Sequence, residues 1–505
     1  YDRLRTGERG WFSMGKQACY LAIDFGTSNV HVTLFDRQTM KTVAGTSRKY
    51  CWYTPAANQI ELDAEEIWTA SETAVAETIR LGGAVEIAAV TFSFFGDNIT
   101  PVDGKGNALY RMLPGFCGRS YREVETLARE IGAEQYGKIT GNTLSTLSSA
   151  SKILWLKRNC PDVFARSEAF YTNQQYIMHK LGFGDIQDRT MAARKLAYDV
   201  QREQWSEPIL DVCGMTEEQL GTTIVESQTV VGKIRSYGRV ELGGPVPVTI
   251  GCHDVSASLL AADVKTDQIG TLGVLMGTYE QIGYFSDEFV TGCNEFGDSL
   301  IFSCCYNSPF RGKYTVMDAF PTAGAMLEWY CKNLLADTKA DIGQMIAKAD
   351  LQKESRLFVL PYMENYHGAI LGMSMATTLE DIFEALLKSL AYQFVACIDY
   401  IKGTTNGVFH NIHFGGGGSR SDKLIGLRAD LLNTRMGRMK NIELPSLGSC
   451  ILASLGNGWS KTVDEAQEQV KNDVVYFEPD CVNGRKQREN YKVYKALSAD
   501  YLKNY

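Results

Sequence analysis

Two stretches of equal length decide the fold. Residues 21–36 read Leu-Ala-Ile-Asp-Phe-Gly-Thr-Ser-Asn-Val-His-Val-Thr-Leu-Phe-Asp, and residues 272–287 read Leu-Gly-Val-Leu-Met-Gly-Thr-Tyr-Glu-Gln-Ile-Gly-Tyr-Phe-Ser-Asp. Each has an apolar run, then Gly-Thr at the same offset, then a second apolar or alternating run, which predicts two strands joined by a tight turn. Because the hairpins lie about half the chain apart, they predict a duplicated domain with a ligand held between the copies.

The tips of these hairpins suit an oxyanion. Glycine lets backbone N–H groups approach a ligand closely, and threonine adds a hydroxyl group. Only the first copy has an acid before the turn, since Asp24 stands where the second copy has Leu275. A carboxylate beside a phosphate site is useful when a divalent cation lies between them. A surface hairpin with a glycine turn is the simpler alternative for one copy alone, and the pairing of two copies weakens it.

Length, composition and charge limit the class of protein. A chain of 505 residues is too long for one hydrophobic core, so two large domains are expected. Its net charge of −8 and the lack of a basic block argue against nucleic acid or an anionic membrane as the main partner. No apolar run approaches the roughly 18–20 residues that span a bilayer.

The cysteine pattern indicates a reduced, cytoplasmic protein. The chain has 13 cysteines, mostly within apolar stretches, and no Cys-x-x-Cys pair. This favours buried thiols over a disulfide framework or a zinc site. Residues 1–13 are polar and charged, and we expect them to be an extension before a natural start at Met14.

Strands and helices alternate along the chain, which predicts α/β architecture in two related domains. A boundary near Gly243-Gly244-Pro245 would give an N-terminal domain of residues 14–248, a C-terminal domain of residues 249–480 and a helical tail of residues 481–505. Capping residues and apolar periodicity predict the individual elements. Helices are predicted over residues 60–81, 149–159, 192–205, 255–262, 319–334, 378–401 and 422–432, and strands over residues 87–95, 246–251, 357–360 and 411–414.

An acid follows one of the predicted strands, in Gly251-Cys252-His253-Asp254. The carboxyl ends of strands are where α/β folds place ligand chemistry, so Asp254 is a candidate base that accepts a proton from a hydroxyl group. The alternative is that Asp254 caps the helix predicted to follow it. The residues alone leave both interpretations open.

Two further segments are candidates for ligand contact. Phe414-Gly415-Gly416-Gly417-Gly418-Ser419 lies between a strand and a helix, where four glycines would let a nucleobase and ribose lie against the backbone. A flexible loop is the alternative, and the segment matches neither a Rossmann fingerprint nor a Walker A loop. Phe94-Phe95-Gly96-Asp97-Asn98 ends another strand and could face a polyhydroxy substrate or form a simple turn.

These segments together resemble the FGGY carbohydrate kinase family, within the actin/hexokinase/Hsp70-like fold. The resemblance runs in the family's order from Ala18 to about Glu478. Its motifs are Asp24–Asn29 and Met276–Thr278 for phosphate, Phe414–Ser419 for adenosine, and Gly251–Asp254 for the catalytic base, with Ser151–Lys157 and Ala429–Leu432 as further signatures.

The resemblance implies two duplicated actin-like (ribonuclease H-like) domains with a cleft between them. It also implies transfer of the γ-phosphate of ATP to a hydroxyl group of a ketose or a sugar-derived polyol. Asp254 is then the expected base, Asp24 the expected Mg²⁺ ligand through water, and Phe95, Asp97, His253 and Asp254 the expected substrate contacts. The residues expected to bind ATP are Gly26, Thr27, Ser28, Asn29, Gly277, Thr278, Gly324, Gly416, Gly417, Gly418 and Ser419.

The sequence departs from the best-known branches of the family. Cys252 stands where glycine is usual, and Phe95 stands where xylulokinases have the Gln of Ser-Gly-Gln-Met-His. The Asn-Gln-Arg sequence of glycerol kinases is missing as well. Met276–Glu280 and His253 look more like uncharacterised or fuculokinase-like branches of the family. We expect a ketose or a sugar-derived polyol.

Two rival functions remain open on the same fold. One is a non-catalytic regulator that binds a sugar or nucleotide, which has no need of a base such as Asp254. The other is a phosphatase or ATPase that uses water as the phosphoryl acceptor. The expected partners are ATP and the sugar or polyol, without nucleic acid or membrane, and a homodimer is left open.

Overall fold

A computed structural model describes most of the chain. The described residues are 16–266, 270–277, 279–290, 302–320, 323–335, 341–362, 368–405, 409–471 and 474–503. Two expectations lie outside them, namely Thr278 as a phosphate ligand and residues 1–13 as an extension. No helix within the described ranges combines the length and apolarity needed to cross a bilayer.

The N-terminal lobe, residues 17–253, is built around a mixed sheet. A short 3-10 helix, Gly118–Ser120, precedes its second α-helix. In chain order its elements are β1 (Gln17–Phe25), β2 (Asn29–Asp36), β3 (Thr42–Lys49), α1 (Ala64–Gly82), β4 (Val85–Phe94), β5 (Thr100–Val102), α2 (Tyr121–Glu130), α3 (Ala133–Thr140), α4 (Ser149–Asn159), α5 (Pro161–Arg166), β6 (Ala169–Tyr171), α6 (Asn173–Lys180), β7 (Gln187–Asp188), α7 (Arg189–Ala193), β8 (Tyr198–Asp199), β9 (Gln204–Trp205), α8 (Glu207–Cys213), α9 (Glu217–Leu220), β10 (Ile224–Val225), β11 (Val230–Tyr237), β12 (Val240–Thr249) and β13 (Cys252–His253).

The C-terminal lobe, residues 254–502, is built around a second sheet. A 3-10 helix, Gly417–Arg420, forms part of its glycine-rich segment. In chain order its elements are α10 (Asp254–Ala261), β14 (Thr271–Met276), β15 (Glu280–Ser286), β16 (Phe302–Asn307), β17 (Tyr314–Phe320), α11 (Gly324–Leu334), α12 (Ile342–Lys348), β18 (Phe358–Leu360), β19 (Ala369–Leu371), α13 (Leu379–Thr405), β20 (Asn411–Gly415), α14 (Asp422–Leu432), β21 (Met436–Met439), α15 (Leu444–Gly456), α16 (Val463–Lys471), β22 (Val474–Phe477) and α17 (Cys481–Leu502).

The two sheets share one strand order. The first contains the order β3-β2-β1-β4-β12, with β11 beyond β12 and β13 also paired with β4, and the second contains β17-β15-β14-β20-β21, with β16 and β22 at its edges. In each five-strand order, the first three strands pair antiparallel and the later strands pair parallel, whereas the outer strands β11 and β22 are antiparallel to their neighbours. The two predicted hairpins, β1–β2 and β14–β15, occupy equivalent places, which confirms the predicted duplication.

Helices α10 and α15 join the lobes. Helix α15 belongs to the C-terminal lobe but packs on the sheet of the N-terminal lobe, where Thr91 of β4 donates a hydrogen bond of 3.0 Å to the carbonyl oxygen of Ser449. Helix α10 lies against α15 and against β14 and β15. The two helices touch at Gly448, where a Cβ atom would lie 1.8 Å from the carbonyl oxygen of Ala257.

Several predicted elements differ from the observed ones. Residues 192–205, predicted as one helix, contain the end of α7 and the hairpin β8–β9, because Leu196 and Glu203 adopt positive φ angles of 55° and 53°. Residues 319–334 begin in β17 and become helical only at Gly324. Gly243-Gly244-Pro245, where we expected the domain boundary, lies within β12 of the first sheet, and the division at residues 248 and 249 stays a prediction.

Candidate active site

The ends of three parallel strands meet in the N-terminal lobe. Asp24 near the end of β1 is opposite Ser93 of β4, and Ser93 is in turn opposite Cys252 of β13. The chain continues from β13 directly into Asp254, the first residue of α10. Strand pairing therefore brings Asp24 and Asp254, which are far apart in sequence, to one edge of the sheet, where α/β folds place ligands.

Asp24 is a buried carboxylate with a single strong hydrogen bond. Its side chain is only 8% exposed, and the Ser93 hydroxyl group donates to its Oδ1 over 2.5 Å. Burial raises the pKa of Asp24 to about 6, while the Ser93 hydrogen bond and the nearby His31 oppose that rise. A cation beside this carboxylate would relieve the cost of burying its charge.

Hydrogen bonds to the carbonyl oxygens of its own residues hold the turn that follows Asp24. The N–H group of Gly26 donates to the carbonyl oxygen of Asn29 over 3.0 Å. The Tyr50 hydroxyl group donates to the carbonyl of Gly26, and the indole of Trp52 donates to that of Thr27 over 2.9 Å. The Tyr50 N–H group donates to the carbonyl of Ser28 over 3.2 Å. These contacts engage the carbonyl oxygens of Gly26, Thr27 and Ser28 and fix the shape of the turn.

Asp254 does not cap α10, because His253 occupies the N-cap position. Instead, Oδ1 of Asp254 accepts from the N–H group of Val255 over 2.7 Å and lies 3.2 Å from Nε2 of His253. The Asp254 side chain is 28% exposed. One oxygen is thus anchored while the carboxylate remains partly accessible.

His253 orients this carboxylate. Burial and the nearby Arg194 hold the pKa of His253 well below its usual range, so the ring is neutral. Its Nδ1 lies 2.8 Å from the hydroxyl group of Tyr306 in β16. The network therefore assigns Nε2 as the donor to Asp254 and Nδ1 as the acceptor from Tyr306. Through Tyr306, the C-terminal lobe contributes to the setting of Asp254.

Burial is also the main influence on the proton affinity of Asp254. It raises the pKa of Asp254 to about 8, and the negative charges of Asp24 and Asp97 add to the rise. The Val255 hydrogen bond and the positive charge of Arg194 oppose it. A carboxylate with a pKa near neutrality can accept a proton from a hydroxyl group and still be partly ionised at physiological pH.

Asp97, another predicted substrate residue, follows Gly96, where a Cβ atom would lie 2.8 Å from Nε2 of His253. It forms an ion pair with Arg194 and adopts a positive φ of 58°. Phe95, by contrast, is 3% exposed and packs in the hydrophobic core of the N-terminal lobe. No local pattern marks Arg194 or Tyr306, because both reach the site through contacts between distant parts of the chain.

The turn of the second hairpin contacts the first residue of helix α11. The N–H group of Gly277 donates to the carbonyl oxygen of Tyr279 over 3.0 Å. The N–H group of Gly324, the first residue of α11, donates to the carbonyl oxygen of Gly277 over 3.2 Å. The predicted ATP ligands Gly277 and Gly324 are therefore neighbours.

The glycine-rich segment lies beside that turn. Strands β14 and β20 are parallel, with Leu275 opposite Gly415. Gly416 has a φ of 80°, and a Cβ atom there would lie 2.8 Å from the carbonyl oxygen of Met276. The Ser419 hydroxyl group donates to the carbonyl oxygen of Gly416 over 2.7 Å. Gly417 faces open space, so glycine at this segment allows both close packing and access for a ligand.

Models of one protein family match most of the chain. The N-terminal domain of the FGGY family of carbohydrate kinases matches residues 19–261, and the C-terminal domain matches residues 295–456. The chain belongs to the FGGY family of carbohydrate kinases. This FGGY protein is therefore an enzyme, a phosphotransferase with an alcohol group as acceptor, as its sequence predicted.

The relatives of this FGGY kinase align with nearly its whole length. A glycerol kinase of Pediococcus pentosaceus is 25% identical over 479 residues, which are 90% of this chain and 92% of the relative. The solved structure of a ligand-bound xylulose kinase from Lactobacillus acidophilus has a TM-score of 0.82 at 19% identity, covering 97% of this chain and 100% of that one. A Plasmodium falciparum glycerol kinase with ADP has a TM-score of 0.82 at 20% identity, covering 96% and 98%. The structural likenesses confirm the predicted two-domain actin-like fold.

Proposed function

We propose that this FGGY kinase transfers the γ-phosphate of ATP to a hydroxyl group of a ketose or a sugar-derived polyol, with Asp254 as the general base. The observation that carries the proposal is the setting of Asp254, a partly accessible carboxylate anchored by Val255 and His253, with a pKa raised to about 8. Phosphoryl transfer depends mainly on positioning and charge stabilisation, and a base completes it by accepting the hydroxyl proton.

The nucleotide would lie between the two hairpin turns. Gly26, Thr27, Ser28 and Asn29 would hold phosphate oxygens from the N-terminal lobe, and Gly277 with Thr278 would hold them from the C-terminal lobe. Adenosine would lie against the remaining predicted ATP residues, which are Gly324, Gly416, Gly417, Gly418 and Ser419. The contact between Gly277 and Gly324 and the open space at Gly417 support this placement.

The residues around Asp24 fit a Mg²⁺ ion. Asp24 offers a buried carboxylate whose pKa is raised by burial, so a cation would offset its cost. Among the described residues, no group of three or more His, Cys, Asp or Glu side chains is arranged to hold a metal alone. Mg²⁺ commonly binds to one or two carboxylates together with substrate phosphates and water. Its chemistry here would be to neutralise charge on the transferred phosphate.

The acceptor would lie between Asp254 and Asp97. His253 contacts Asp254, and Asp97 adds a second carboxylate that can accept hydrogen bonds from hydroxyl groups. Closure of the lobes would exclude water, which otherwise competes as the phosphoryl acceptor.

The test is ADP release from Mg·ATP across a panel of ketopentoses, ketohexoses, polyols including glycerol, and sugar acids. We expect turnover with a ketose or polyol in the wild type, and its loss in Asp254→Asn while nucleotide binding is retained. Equal activity in Asp254→Asn would refute the role of the base.

The same panel separates the two rival functions. A regulator would bind ATP or a sugar, measured by calorimetry, without any turnover. A phosphatase or ATPase would release ADP or phosphate at a rate that no acceptor changes. Either result would overturn the proposed kinase reaction for this chain.

A further inference from the structure

A buried arginine lies beside the proposed acceptor site. The side chain of Arg194, the residue after α7, is only 2% exposed. Its Nη2 pairs with Oδ2 of Asp97, and its Nη1 donates to Oδ1 of Asn142 over 3.0 Å. The guanidinium carbon lies 5.1 Å from the centre of the Tyr306 ring. Arg194 thus connects the segment that carries Asp97 with β16 of the C-terminal lobe.

The backbone around Asp97 needs such support. Asp97 has a φ of 58°, in a region that costs a non-glycine residue free energy. The preceding Gly96 is enclosed, since a Cβ atom there would lie 2.8 Å from Nε2 of His253 and 3.2 Å from Cγ of Arg194. On the other side, Asn98 donates to the carbonyl oxygen of Phe95 over 2.9 Å. Asp97 is therefore held between Asn98 and Arg194.

The ion pair leaves one carboxylate oxygen without a partner. Oδ1 of Asp97 is buried and has no hydrogen-bond partner, although Oδ2 is paired with Arg194. Buried polar atoms of this kind are rare in folded proteins, and each calls for a missing donor. A hydroxyl group of a polyhydroxy acceptor is such a donor.

We propose that Arg194 is a positioning residue for the phosphoryl acceptor, which fixes the Asp97 carboxylate where an acceptor hydroxyl group can donate to it. The inference rests on the proposed kinase reaction, because it assigns Asp97 to the acceptor. Arg194 acts through Asp97, since its own Nη atoms are engaged by Asp97 and Asn142. We therefore expect Arg194 to act on KM for the acceptor through Asp97, and its charge also acts on Asp254, the proposed base.

The test compares Arg194→Met and Arg194→Lys with the wild type, using the acceptor that the panel identifies. Arg194→Met should raise KM for the acceptor on the order of tenfold, the effect of losing a charge-assisted hydrogen bond. KM for ATP should stay unchanged. Arg194→Lys should restore part of the affinity, because it keeps the cation without the planar fork.

Arg189, the first residue of α7, provides a matched control. Its side chain is 5% exposed and pairs with Glu203, away from Asp97. Arg189→Met should therefore destabilise the protein to a similar extent and leave KM for the acceptor unchanged. A rise in KM for ATP in parallel with that for the acceptor, or an equal effect of Arg189→Met, would reduce Arg194 to a structural role.

A double variant tests the route through Asp97 and avoids dependence on one substitution. If Arg194 acts through Asp97, then Arg194→Lys combined with Asp97→Asn should raise KM for the acceptor no further than Asp97→Asn alone. Additive increases would overturn the inference. Calorimetric binding of the acceptor should weaken in the same order. Failure of the proposed reaction would instead appear in the wild type, as a lack of acceptor-dependent ADP release.

Discussion

The burial that makes Asp254 useful as a base also lowers the stability of the folded protein when Asp254 is ionised. Its pKa is raised from 3.8 to about 8, first by burial and then by the charge of Asp24. The folded state therefore holds a proton on Asp254 over a range of pH in which the unfolded chain releases it. Stability due to this group is full below the unfolded pKa and is lost as pH rises toward the folded pKa.

Replacement of Asp254 by a neutral isostere should stabilise the protein in a pH-dependent way. Between pH 4 and pH 8 the native wild type binds more protons than the unfolded chain. Its free energy of unfolding therefore falls by at most roughly 1.4 kcal/mol for each unit by which the pH rises. Asp254→Asn lacks this loss. The Tm of Asp254→Asn relative to wild type should thus increase from pH 5 to pH 8 and level off above, as measured by calorimetry.

The control for this measurement is Asp211→Asn, which replaces an exposed aspartate of α8. Its Tm difference from wild type should not vary over the same range. A difference for Asp254→Asn that is likewise independent of pH would mean that the folded protein does not raise the pKa of Asp254.

For single residues, the local sequence predicted which side chains lie at the ends of strands. Asp24 and Asp254 each adjoin a strand and a turn, so their position follows from their immediate neighbours. Arg194 could not be found in this way, because it meets Asp97 across 97 residues of chain. Tyr306 reaches His253 from the other sheet. Contacts of that kind depend on how the elements pack.

Among the elements, a buried ion pair joins the two segments proposed to bind ATP. Glu280 begins β15 after the second turn, and Arg428 lies in α14 after the glycine-rich segment. Two hydrogen bonds of 2.7 and 2.8 Å connect them, and the two side chains are 2% and 0% exposed. The guanidinium also packs on the rings of Phe394 and Phe414.

Removal of this arginine should disturb both stability and nucleotide binding. Arg428→Met leaves Glu280 buried without its partner, which we expect to cost about 3–5 kcal/mol of the free energy of unfolding. KM for ATP should rise, because the turn at Gly277 is no longer held against α14. Denaturant unfolding and steady-state kinetics would measure the two effects.

The control is a more exposed ion pair between Asp422, at the start of the same helix, and Arg438 of β21. Arg438 lies 3.1 Å from Asp422, and the two side chains are 21% and 61% exposed. Arg438→Met should change stability by only about 0.5 kcal/mol. A cost for Arg428→Met as small as this would contradict the structural role of the buried pair.

Elements with clear end signals were predicted best. Helices α4 and α14 have the predicted bounds, and Ser148 and Ser421 cap them. The prediction of one helix over residues 192–205 was wrong. Ala-Ala-Arg-Lys-Leu is a good helix sequence, but tertiary packing overrides its helix propensity here. There the chain turns at Leu196, whose side chain is buried in the core.

For the whole molecule, the close crossing of α10 and α15 determines how the lobes are joined. Gly448→Ala would put a methyl group within 1.8 Å of the carbonyl oxygen of Ala257, so the helices must separate. We expect a loss of about 1–3 kcal/mol in the free energy of unfolding, together with lower turnover, because Asp254 begins α10.

Gly426 in α14 is the matched control, since a Cβ atom there meets nothing within 4 Å. Gly426→Ala should stabilise the protein by about 0.4–1 kcal/mol. Equal effects of the two alanine substitutions, measured by denaturant unfolding, would show that α10 and α15 do not pack too closely at Gly448 to accommodate a methyl group.

The duplication of the fold was predictable from the two hairpins, because each begins one sheet with the same strand order. The crossing of the lobes was not, since α15 leaves its own sheet and packs on that of the other lobe. A helix sequence records which face is apolar but does not record which of two similar sheets that face will cover.

The first turn has one further consequence, which is optical. Trp52 is 46% exposed, stacks on Phe116 at 4.8 Å and donates its indole N–H group to the carbonyl oxygen of Thr27. The emission of an indole depends on its hydrogen bond and on nearby charge. The chain therefore carries an intrinsic fluorophore at the proposed phosphate turn, and Trp52→Phe would isolate its signal from those of the other tryptophans.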